Sequence, residues 1–135
     1  NRGWAYYLQG NYELALDDFS YVIRAIPDDI FALLNRGITY IQMDNLELAY
    51  QDYAEAIRIY TEANPYPDTD IIGNAIQDLT LAIEAEPENG DLYVFRGYLY
   101  HEQGNDELAK ADWELAQEND GEFVPELLAL LIATE

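Results

Sequence analysis

The sequence predicts an all-α fold, a right-handed α-solenoid of antiparallel helix-turn-helix repeats. Three observations predict it. Arg2-Gly3 returns 34 residues later as Arg36-Gly37, and again after a further 60 as Arg96-Gly97. Each pair is followed in fixed phase by a tyrosine (Tyr6, Tyr40, Tyr100) and then by Glu-Leu-Ala at Glu13-Leu14-Ala15, Glu47-Leu48-Ala49 and Glu107-Leu108-Ala109. Three residues past each Ala stand an acid and an aromatic: Asp18-Phe19, Asp52-Tyr53 and Asp112-Trp113. A fixed period of this size marks a stacked array, in which each hairpin buries its apolar faces against its neighbours.

Each element follows from caps, breakers and periodicity. Helices are expected over 1–9, 12–26, 29–42, 46–62, 71–86, 90–103, 105–118 and 122–134. The first, third and sixth carry the Arg-Gly pairs and form the first helix of a hairpin, helix A. The second, fourth and seventh start at Asn11, Asn45 and Asn105, whose side chains can accept from free backbone N–H groups, and form helix B. Pro27 and Pro87 mark turns after helix B. The last helix is apolar almost all round from Phe123 to Ala133 and too short to span a bilayer. A solenoid cap normally shows a polar outer face, so this helix is expected to be buried on two sides, to touch a partner or to meet further repeats. The chain is expected to form one domain, 1–135, with repeats at 1–28, 29–62, 71–88 (atypical) and 89–119 and a capping helix at 122–134.

The atypical unit has helix B residues Ala75, Leu79, Ala82 and Ile83 but no clear helix A. Ala49 and Ala75 are 26 residues apart where the period requires 34. The expected helix A position reads Asn64-Pro65-Tyr66-Pro67-Asp68, and two prolines oppose helix there. Two readings stay open. Residues 63–70 form an extended connector, spanning roughly 26 Å at about 3.3 Å per residue, that stands in for helix A; or they form a plain loop that breaks the superhelix.

Taken together, Gly3, Tyr6, Ala15, Phe19 and Pro27, then Gly37, Tyr40, Ala49, Tyr53 and Ala56, then Gly97, Tyr100, Ala109, Trp113 and Ala116 resemble the tetratricopeptide repeat pattern. Thr61 stands where the second repeat should close with Pro. The resemblance implies a concave groove lined by helix A. Carried over residue by residue, the groove positions are Trp4, Tyr7, Leu8, Phe31, Leu34, Asn35, Ile38, Ile41, Val94, Phe95, Tyr98 and His101. Some members of the family clamp a C-terminal carboxylate with Lys and Asn on this face. The clamp positions here carry Leu34, Ile38, Val94 and Tyr98, and Lys110 lies in helix B, so resemblance to that subtype fails.

Composition bounds the partner. The chain has 27 acids against six bases, a net charge of −21, and no Cys. Nucleic acid and anionic membrane surfaces are disfavoured, and neither a disulfide framework nor a thiolate zinc site is available. The charge either keeps a half-apolar solenoid soluble or favours a basic partner. Three of the five arginines, Arg2, Arg36 and Arg96, share one repeat position, while Asp18, Asp52, Asp78 and Asp112 share another. They are expected to form structural ion pairs, Arg36 with Asp18 or Asp52 and Arg96 with Asp78 or Asp112.

No catalytic constellation is expected, and no metal or cofactor. His101 is the only His, and Asp68-Thr69-Asp70 fails as a calcium loop because Ile72 and Leu79 stand where oxygen ligands are needed. The chain begins part-way through a helix A and is read as a piece of a longer protein. The expected function is a non-catalytic scaffold that binds a basic, apolar peptide or helix in the groove. The alternative is a structural, self-associating segment whose groove its own C-terminal helix fills. The sequence leaves the compartment open, with the cytoplasm favoured.

Overall fold

A computed structural model describes residues 1–134, and every regular element among them is helical: α1 (Arg2–Leu8), α2 (Tyr12–Ala25), α3 (Ile30–Gln42), α4 (Leu46–Ala63), α5 (Ile71–Ala85), α6 (Gly90–Glu102), α7 (Asp106–Glu118) and α8 (Pro125–Thr134). The chain divides into two compact units, Asn1–Thr69 and the part from Asp70 onward. One domain was expected. The division falls at the end of the proline-containing connector, where no helix A bridges successive repeats.

The first unit holds two hairpins, α1 with α2 and α3 with α4, and α2 also packs on α3. One device sets the spacing within each hairpin. A Cβ added to Gly3 would lie 2.7 Å from the Phe19 ring, and one on Gly37 would lie 3.0 Å from the Tyr53 ring. Glycine thus lets an aromatic sixteen residues later lie directly on the helix A backbone. The turns between paired helices share a geometry. Gly10 and Asp44 adopt positive φ, 78° and 58°, and the next residue's N–H reaches back to the carbonyl of Tyr6 or Tyr40. Asn11 and Asn45 were expected to cap helix B through their side chains, yet neither makes that bond; the reach-back bond of their own N–H groups closes the turn instead. The side chain of Asp29 caps α3.

Helix α4 runs one residue beyond the expected end and stops at Asn64, in left-handed conformation at φ 42°. Residues 64–70 are non-helical. The Thr69 N–H donates to the Tyr66 carbonyl, so the segment contains a turn rather than a straight extended strand. That turn sets the Tyr66 ring 5.2 Å from the Phe31 ring.

In the second unit α5 packs on α6, α6 on α7 and α7 on α8. Asp70, Asn89 and Asn105 cap α5, α6 and α7 through their side chains. Gly97 faces Trp113, whose indole N–H donates to the Val94 carbonyl at 3.1 Å. The chain leaving α7 returns over the start of α6: a Cβ on Gly90 would lie 2.5 Å from Gly121 N, so only glycine admits this approach. The Glu122 N–H then donates to Asp91 Oδ1 at 2.8 Å. Helix α8 begins at Pro125 rather than at 122, since proline suits a first helical position and disfavours helix in the residue before it. Its Leu131 joins Ala109 and Trp113 in a buried cluster flanked by Tyr100, Phe123 and Leu130.

Candidate functional site

Each repeat-phase arginine meets the aspartate sixteen residues later through two parallel N–H···O bonds. Arg2 Nε and Nη2 bind Asp18, each at 2.8 Å. Arg36 binds Asp52 at 2.7 and 2.8 Å, and Arg96 binds Asp112 at 2.8 and 2.7 Å. The planar guanidinium matches a carboxylate in this way, which fixes the orientation of helix A on helix B. Donating hydrogen bonds to Asp52 pushes the Arg36 guanidinium above its ordinary value, and donating to Asp112 does the same to Arg96. Arg2 in turn holds Asp18 below the usual carboxylate range, through a hydrogen bond first. Each arginine also lies over the tyrosine one turn on, 5.9 Å from the Tyr6 ring, 5.6 Å from Tyr40 and 5.9 Å from Tyr100.

The third nitrogen carries information that period-based reading missed. Arg36 Nη1 donates to Ser20 Oγ on the preceding helix B, α2, and Arg96 Nη1 donates to Thr80 Oγ1 on α5, both at 3.3 Å. The arginine therefore links its own hairpin to the helix before it. The signal was present, since Ser20 and Thr80 each precede their arginine by sixteen residues.

Asp78 was expected among the ion-pair residues, but Arg96 pairs with Asp112, and Asp78 makes no salt bridge. The residue sixteen before it is Glu62, not an arginine. Without a cation, burial alone raises the Asp78 carboxyl above its ordinary value.

The expected groove residues separate into two groups. Leu34, Ile38, Ile41, Val94, Phe95 and Tyr98 are buried core side chains, which corrects their assignment as groove-lining positions. Helices in an array are apolar on more than one side, so an apolar helix A position marks a packed face as readily as a groove. Tyr7 is buried too; it stacks on Trp4 at 4.7 Å, and its hydroxyl accepts from Gln42 Nε2. Leu8 and Phe31 are exposed, while Trp4, Asn35 and His101 are half-buried. His101 Nδ1 lies 3.0 Å from Asp106 Oδ1, a rim contact with no third partner of catalytic type.

Helix α8 buries Leu127 and Leu131 and leaves Leu128 and Ile132 exposed, at 43% and 62%. It packs on α7, a helix B. Among the described residues no three His, Cys, Asp or Glu side chains are grouped to hold a metal ion, and no helix is long and apolar enough to cross a membrane.

Residues 32–62 and 90–123, which span the α3–α4 and α6–α7 hairpins, match the tetratricopeptide repeat family. These two stretches are tetratricopeptide repeats. No curated protein matches the chain. Tetratricopeptide repeats are generally protein–protein interaction modules and typically non-catalytic.

Proposed function

We propose that the chain is a non-catalytic scaffold that holds a peptide or helix of mixed basic and apolar character against its helix A surfaces. The observation that carries this reading is the set of large apolar side chains left exposed or half-exposed on helix A in a chain of net charge −21. In the first unit these are Trp4 and Leu8 on α1 and Phe31 on α3, the last paired with Tyr66. Asn35 adds an amide, and in the second unit the half-buried His101 is the least covered member of the expected set. Aromatic anchors dominate binding energy, and a carboxylate-rich surround attracts a cationic partner over the distance of a Debye length.

The test is a titration of a basic amphipathic helical peptide against the chain, read by Trp4 fluorescence and amide shifts. Binding should exceed that of a charge-reversed peptide, weaken as salt rises through a slower association rate, and fall in Trp4→Ala and Phe31→Ala. Equal affinity for both peptides would end this reading. The outward Leu128 and Ile132 of α8 favour a second reading, a self-associating segment. Sedimentation across concentration separates the two, and a monomer at all concentrations removes the second.

A further inference from the structure

Asp18, Asp52, Asp78 and Asp112 stand at one repeat phase and do not share one fate. Asp18, Asp52 and Asp112 each take two parallel bonds from the arginine sixteen residues earlier. Asp78, in the middle of α5, follows a connector in place of a helix A and has no arginine. It is half-buried, and burial alone acts on its carboxyl, with no hydrogen bond and no opposite charge beside it. Among the described residues no fully buried side-chain oxygen lacks a hydrogen-bond partner. The Asp78 oxygens have none, so they reach the surface and stay open to a ligand.

The side of α5 that carries Asp78 is not the side that meets α6. Thr80, whose hydroxyl accepts from Arg96 on α6, shares its side with the buried Ile76 and Ile83. At about 100° per residue, Asn74, Asp78, Leu81 and Ala85 lie on the opposite side. Asn74, Leu81 and Ala85 are exposed, Leu81 at 52%. A carboxylate and a large apolar side chain therefore stand one turn apart at the surface, and Asp78 is the only charged residue of the four. The carboxylate disfavours the free fold, since burying a charge without a counter-ion is costly. A position that breaks a local rule in an otherwise regular array is where function is expected.

We propose that this side of α5 is a second interaction surface, distinct from the helix A surfaces above, and that it takes a partner protein's amphipathic helix carrying an arginine with aliphatic residues one turn away. The partner arginine donates two parallel N–H···O bonds to Asp78, as Arg36 does to Asp52, and its aliphatic neighbours cover Leu81. Charge complementarity selects this occupant. Both carboxylate oxygens are unpaired, and a planar guanidinium fits such an acceptor through two bonds where an ammonium acts as a point charge. The three equivalent aspartates of the chain show that this position holds an arginine in that way.

The probe is an alanine-rich helical peptide carrying one arginine, with leucines three residues before and four after it. It is titrated against the chain and followed by amide shifts. Saturable shifts are expected at Asn74, Asp78 and Leu81, and they should persist in Trp4→Ala and Phe31→Ala. Replacing the peptide arginine by citrulline, which keeps the shape and removes the charge, should weaken binding roughly tenfold. Lysine should fall between the two. Asp78→Asn in the chain removes an unpaired carboxylate and should keep the fold, and it should make the arginine and citrulline peptides bind alike. Leu81→Ser should weaken all three peptides by one common factor. Absent or scattered shifts, or an arginine preference that survives Asp78→Asn, overturn the proposal. So does a concentration-dependent dimer that Asp78→Asn abolishes, since the occupant would then be a second copy. Loss of basic-peptide binding at Trp4 and Phe31 would leave α5 untouched, so the two proposals fail separately.

Discussion

Gly97→Ala should destabilise the second unit, although alanine is the better helix former. The methyl would sit 2.5 Å from Trp113 Nε1, 2.7 Å from Cδ1 and 3.1 Å from the Ala109 carbonyl oxygen. Trp113 is fully buried and its N–H is committed to the Val94 carbonyl, so the ring cannot turn aside cheaply. Overpacking of this kind costs about 1–3 kcal/mol, and leaving a buried N–H unpaired costs about 1–3 kcal/mol more. The gain in helix propensity offsets about 1 kcal/mol, so the net loss is roughly 1–5 kcal/mol. Gly37→Ala provides the internal control. There the methyl would lie 3.0 Å from the edge of the Tyr53 ring, a contact that a shift of a few tenths of an ångström relieves. The propensity gain then nearly cancels the crowding, and stability should change little. Guanidinium denaturation in a Trp4→Phe background reports on the second unit through Trp113, and circular dichroism follows both. A Gly97→Ala protein as stable as its parent, or a larger loss for Gly37→Ala than for Gly97→Ala, would refute the packing argument.

Other outcomes follow from the same geometry. Asp112→Ala leaves the half-buried Arg96 without its carboxylate and should cost about 3–5 kcal/mol, whereas Asp18→Ala, at an exposed pair, should cost far less; thermal melts of the two variants check the order. Asp78→Asn should raise stability at neutral pH, because the folded carboxyl titrates above its ordinary value of 3.8 and burial disfavours its charged form. The folded state binds that proton more tightly, so the penalty is absent below 3.8 and grows as pH rises through the folded value. Melts at low and neutral pH should therefore show the advantage of Asn only at the higher pH. Hydrogen exchange should be fast at Tyr66 and Asp68 and slow across 46–60 and 74–85; protection throughout 64–70 would contradict the non-helical connector.

Much of the fold is legible in the sequence because its determinants recur at fixed spacing. Gly3, Gly37 and Gly97 each precede an aromatic by sixteen residues, and Arg2, Arg36 and Arg96 precede an aspartate by the same interval. One rigid hairpin geometry carries both contacts, so a repeated pair of residue types already implies a repeated contact. The connector was legible too, since Pro65 and Pro67 remove backbone donors and fix φ. The turn at 66–69, by contrast, depends on a backbone hydrogen bond that no residue type there demands.

The sequence by itself determined the helical period, the phase of each hairpin and the side chains that lock its two helices together, because these depend on contacts sixteen residues apart within one local unit. Only the tertiary structure decided which apolar faces are covered. Ile38 and Phe95 read as groove residues and lie in the core, the last helix reads as apolar almost all round and leaves Leu128 and Ile132 at the surface, and Asp78 reads as paired and is left without a cation. A helix in an array meets neighbours on more than one side, and hydrophobicity records that a face seeks cover without recording which element supplies it.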